Sequence, residues 1–507
     1  MTQTRRYIFA PVFCAVAAGA AAQDIGAPLS AIDWLSQSVE PASAVEPPVA
    51  RGIVTPPVTM TPLDQPSKDR VGLLPASVTG LPPSIWAGSD EETLVALVQS
   101  KRVETLPAIQ DFLKVLMLAE ADPPAGAGPD GALFLARVDK LLDLGALDQA
   151  QALIEEASPD TAPLFRRWFD VALLTGTEDD ACDVMADAPA VAPTYAARIF
   201  CLARSGDWNT AALTLNTHRV LGDIGPAEEA LLSRFLDPEL YEDEPALDPP
   251  DRISPLVFRM HEAIGEPLIT ANQPLAFAHA DLRSTAPWKA QIEAAERLAR
   301  VGAVSENVLQ RVYTGGTPAA SGGIWDRAKA VQAFDAALRA RSSKDVTDTL
   351  APVWTAIETA RAEVAFAKLY GPALQDITLT GGDADLAFRI GLLSPDYEEV
   401  ALSAPDGADA FLTALARGVP QEVRVTNSRE LAIQAAFNGA QPPPALRALV
   451  DEGKLGEALL RAITLFNAGY RGDARSVTDA LALFRSVGLE DVARRASLQM
   501  LILDRAT

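Results

Sequence analysis

The residues that could carry chemistry are few. Three histidines occur in 507 residues: His218, His261 and His279. His261-Glu262 would open a His-Glu-x-x-His zinc helix, but position 265 is Gly. His279 and Asp281 are two residues apart, so they would not face each other on a helix. No G-x-S-x-G elbow is present, and no dinucleotide fingerprint follows a predicted strand. The Gly-rich stretch Thr314–Gly323 lacks the Lys and the preceding strand of a phosphate cradle and reads as a plain loop. Asp237–Asp251 holds seven acids and four prolines, without the spacing of a calcium loop. The sequence therefore assigns no catalytic, metal-binding or cofactor-binding residue, and the expectation is a protein that is not an enzyme.

The cysteines are more informative. Residues 1–22 read as a secretory signal: Arg5 and Arg6, an apolar run from Tyr7 to Ala18, and small residues at Ala20–Ala22. The run is too short for a membrane span, and no later stretch is long and apolar enough to be one. Cys14 lies inside this signal, which leaves Cys182 and Cys201. Export to an oxidising compartment, here the bacterial periplasm, predicts that this pair forms a disulfide. Each Cys stands nine or ten residues from a turn centred on Val191 and Ala192, so antiparallel helices would bring them level.

The elements that would position such a bond carry a repeating hinge. A helix ends at a Gly, and an Ala follows five residues later: Gly145 with Ala150, Gly176 with Ala181, Gly206 with Ala211. The spacings are 31 and 30 residues, and the hinge returns at Gly453 with Ala458 and Gly488 with Ala493. Gly tolerates the left-handed conformation that ends a helix, and the small residue lets the next helix approach closely. The pattern resembles the tetratricopeptide-like (TPR-like) superfamily of paired antiparallel helices. The Trp, Tyr and closing Pro of that family's repeat are not in register, so the resemblance concerns architecture and brings no ligand with it. It implies an all-α fold, an α-solenoid of TPR-like antiparallel helical hairpins.

The organisation expected along the chain is a signal peptide (1–22), a Pro-rich arm (23–86), N-terminal repeats (87–236), an acidic connector (237–251), a central helical region (252–420) and C-terminal hairpins (421–507). The arm holds ten prolines between Pro41 and Pro83 and no aromatic residue between Trp34 and Trp86, a composition that predicts disorder. Two apolar islands interrupt it: Ala31–Leu35, whose Ile32, Trp34 and Leu35 are the candidate partner-binding residues, and a second from Val71–Leu74 through Leu81–Trp86, expected to lead into the folded part as an extended segment capping the first helix.

Charge narrows the partners. The formal net charge is −24, and removing the signal with its two Arg makes it −24 − 2 = −26. Nucleic acid and anionic lipid, which need Lys/Arg patches, are not expected partners. The expected function is a periplasmic scaffold or adaptor for a protein or peptide partner in the envelope. The alternatives are an envelope enzyme acting on peptidoglycan or another glycan, and a structural envelope component; a similar helical superstructure occurs in periplasmic lytic transglycosylases, but their catalytic module is not found in this sequence, so that resemblance stops at architecture.

Overall fold

The computed structural model describes residues 67–503. The signal sequence and the island Ile32, Trp34 and Leu35 lie outside the described residues. Within them the fold is all-helical, with two isolated bridges, Leu74 to Ala119 and Asp90 to Ala125, and no strand. No helix among the described residues is long and apolar enough to cross a membrane.

The hinges form as their chemistry dictates. Gly145, Gly176, Gly206, Gly453 and Gly488 all have φ between 67° and 88°. Each separates two helices, as Gly176 separates Ala162–Thr175 from Glu178–Asp187. The partner alanines 150, 181, 211, 458 and 493 are all fully buried, because the second helix lies too close for a larger side chain.

These hairpins do not run on as a row with two free ends. The helix Pro107–Leu118 packs on the last helix, Glu490–Ile502, and Glu91–Gln99 packs on Leu455–Tyr470. The central region also folds back: Pro255–Ala263 and the 3-10 segment Leu275–Leu282 lie on the helix Ala162–Thr175. One contiguous apolar cluster draws residues from Leu81 to Leu503, including all three helical regions.

Part of the segment whose composition predicts disorder is packed, as the second apolar island anticipates. Residues 67–86 pack onto the helices instead of remaining an open arm. Leu73 and Leu74 donate backbone hydrogen bonds to the Leu118 carbonyl, and Glu120 returns one to Leu74. Ile85 and Trp86 are buried. Proline costs a segment its own hydrogen-bond ladder, but not its packing against helices supplied from elsewhere.

Asp111 marks the point where four segments meet. Its carboxylate lies 2.9 Å from both Lys114 and Lys368 and 3.5 Å from Arg495. Lys114 also donates to the carbonyls of Val301 and Gly302, at 3.1 and 2.6 Å. Burial alone would raise the Asp111 carboxyl, but Lys114 and Lys368 overcome it and hold the group at about 2, below the ordinary 3.8. A depressed carboxyl stabilises the fold above its unfolded value and ceases to do so as pH falls through the folded one. Asp111 should therefore contribute about 2 kcal/mol above pH 4, lost between about pH 4 and pH 2. Chemical denaturation across that range should show Asp111→Asn with a flatter pH dependence than the native chain. Parallel curves would refute the assignment.

Candidate binding cleft

A cleft with a volume of about 730 Å³ opens beside the first hairpins. Its wall is the connection between Glu178–Asp187 and Tyr195–Arg204, a Pro-flanked turn that contributes Pro189, Ala192 and Pro193. Proline stiffens this turn and keeps it out of either helix. Thr194 caps the second helix by accepting from the Ala197 N–H at 3.0 Å. The start of Ala162–Thr175 supplies Pro163 and Arg166, and the turn after Trp208–Leu221 supplies Asp223 and Ile224.

The disulfide predicted from sequence lies behind this wall. Cys182 and Cys201 are buried and at bonding distance, their Cα atoms 5.1 Å apart. They join the two helices whose connection forms the wall. Closing a loop of this length restricts the unfolded chain and stabilises the fold by about 3 kcal/mol. Reduction, or Cys201→Ser, should lower the melting temperature and accelerate amide exchange through residues 188–194. A chain indifferent to reductant would contradict this.

The cleft carries charges of both signs. Tyr195 stacks on His218, ring centroids 3.4 Å apart, and His218 Nδ1 lies 2.7 Å from Asp223. Arg166 sits 3.6 Å from Asp170, whose carboxyl burial pushes up to about 7 against the pull of Arg166 and Arg167. Burial also raises Glu228. Arg198 is exposed at the cleft and forms no ion pair among the described residues. The site can thus hold an apolar segment against Tyr195, Ile224 and the prolines while Arg198 meets a carboxylate.

No protein-family model, curated protein or solved structure matches this chain.

Other candidates from the sequence disperse. His279 is buried and bonds through Nε2 to the carbonyl of hinge Gly145 at 2.7 Å. His261 is buried 4.0 Å from Glu266, and burial lowers both imidazoles. The three histidines share no site. Buried carboxylates elsewhere are engaged by neighbours: Glu296 accepts two bonds of 2.9 Å from Arg327 and one of 2.7 Å from Tyr313. The Gly-rich loop is tied down by Gln332, which donates to Gly316 at 2.8 Å. Sequence reasoning missed Arg166, Tyr195, Arg198, Asp223 and Glu228. The one local signal was the Pro-flanked APAVAPTY turn, which the cysteine argument used only as a pivot.

Proposed function

We propose that this chain is a periplasmic helical-repeat scaffold or adaptor that holds a protein or peptide partner of the cell envelope, without catalysis, in the cleft walled by residues 188–196. The observation that carries the reading is the cleft's composition. Prolines, Tyr195 and Ile224 form an apolar bed, and Arg198 stands exposed in it on a chain of net charge −24. A preformed recess that sets apolar side chains beside a few placed polar groups suits an extended peptide. The Cys182–Cys201 pair is compatible with an oxidising compartment.

A photo-crosslinking residue at Ala192 in intact cells should capture a discrete partner, and the same residue at the exposed Leu402 should not. Arg198→Glu should weaken the capture several-fold. Identical adducts at the two positions would count against the reading. The alternative, an enzyme acting on peptidoglycan or another glycan, draws support from Asp223 and Glu228 lining the same cleft, Glu228 being raised as a general acid requires. Turnover of isolated peptidoglycan that disappears in Glu228→Gln would favour the enzyme, while capture at Ala192 that survives Glu228→Gln, with no turnover, favours the scaffold.

A further inference from the structure

The cleft lies beside the point where the chain enters the described fold. Lys68 donates to the carbonyls of Ala157 and Ser158, each at 3.1 Å, and pairs with Asp160. Two and three residues beyond Asp160, Ala162 and Pro163 already line the cleft. Lys68 therefore stands at one edge of the cleft.

Residues 36–66 separate the island Ala31–Leu35 from Ser67, and a chain of that length spans up to about 100 Å. The cleft is far inside that limit. The island's chemistry also matches what the cleft offers. Ile32, Trp34 and Leu35 are apolar and would meet Tyr195, Ile224 and the prolines. Asp33, set among them, would meet the exposed Arg198. A tethered segment faces its site at an effective concentration on the order of millimolar, so a weak intrinsic fit suffices.

We propose that the cleft takes the chain's own segment Ala31–Leu35. It rests on the peptide-binding reading above and deepens it: the island occupies the site in cis, and an outside partner must displace it. Partners that carry an acid between apolar and aromatic residues compete best, because they present the same pattern to Arg198.

The test uses the full chain with p-benzoylphenylalanine replacing Trp34, irradiated at two concentrations and mapped by mass spectrometry. The expected result is an intramolecular crosslink into residues 189–198 or 222–228, with a yield independent of concentration. Arg198→Asp should reduce it several-fold, and adding Asp33→Arg to that variant should restore it. Crosslinks elsewhere on the chain, only between copies, or absent would overturn the proposal. If position 34 misses the cleft while a probe at Ala192 captures an outside peptide, the cis docking fails and the peptide-binding reading stands. If Ala192 captures nothing from outside while position 34 maps to the cleft, the reading fails and the cleft is an internal dock alone.

Discussion

Arg137→Ala should lower the stability of the fold by about 4 kcal/mol, an effect of the size seen when a buried charged partner is removed. Arg137 is fully buried. Its Nε donates to the Met117 carbonyl at 2.8 Å, and Nη2 to that of Ala119 at 2.9 Å. Nη1 reaches the Asp69 and Val71 carbonyls, at 3.1 and 2.9 Å. One guanidinium thus joins the entering segment 69–71, the end of the helix Pro107–Leu118 and its own helix, Ala132–Asp143. Burial pulls this group down to about 10, with Asp69 opposing, so it remains charged at neutral pH. Truncation leaves four carbonyls facing a void that no neighbouring donor fills. Arg137→Lys should rescue little, because an ammonium cannot reproduce the planar fork. Urea denaturation measures the loss, and amide exchange should rise first at residues 69–74. A midpoint within error of the native chain would refute this account.

The second large effect concerns the joint between residues 85–86 and the helix Leu455–Tyr470. Trp86 is fully buried, and Gly456 lies against it. The Gly456 N–H donates to the Ile85 carbonyl at 2.9 Å. A methyl group at position 456 would fall 2.4 Å from the Trp86 ring and 2.7 Å from that carbonyl. Trp86→Ala should cost about 3–5 kcal/mol through lost burial and the cavity left behind. Gly456→Ala should act in the opposite steric sense, by wedging the helix Leu455–Tyr470 away from residues 85–86. The pair touches, so the two changes should not add: with the ring gone, the new methyl group is left with only the Ile85 carbonyl to clear. A double mutant that loses clearly less stability than the two single losses summed is the expected outcome of thermal melts. Simple additivity would show that the close approach carries no energy.

These two sites also show why the sequence was only partly legible. The hinge is local: Gly and Ala five residues apart act on the turn and the helix that contain them. The same holds for Cys182 and Cys201, 19 residues apart across one hairpin, where antiparallel packing leaves little choice of partner. Trp86 was visible as the end of an apolar island leading into the fold, but not its partner, because the glycine that receives it comes 370 positions later. Arg137 read as an ordinary polar position on an amphipathic helix, since its four acceptors belong to other segments. Asp111 was likewise unremarkable without Lys368, 257 residues away.

The candidate cleft divides in the same way. Its wall, the Pro-flanked turn 188–194, was marked by the prolines themselves. Its remaining lining came from Arg166, Asp223 and Glu228 on separate helices, and no spacing rule links them.

By itself, then, the sequence determined the all-helical class, the glycine hinges and the cysteine pair, because backbone conformation and neighbouring-helix contact are set within about thirty residues. Tertiary structure alone decided that the helix Pro107–Leu118 meets the helix Glu490–Ile502, that Trp86 packs against Gly456, and that a cleft with an exposed arginine opens beside the disulfide. Those outcomes depend on which apolar faces fit one another in three dimensions. Many pairings satisfy the same periodicity, and only close packing over the whole core selects among them.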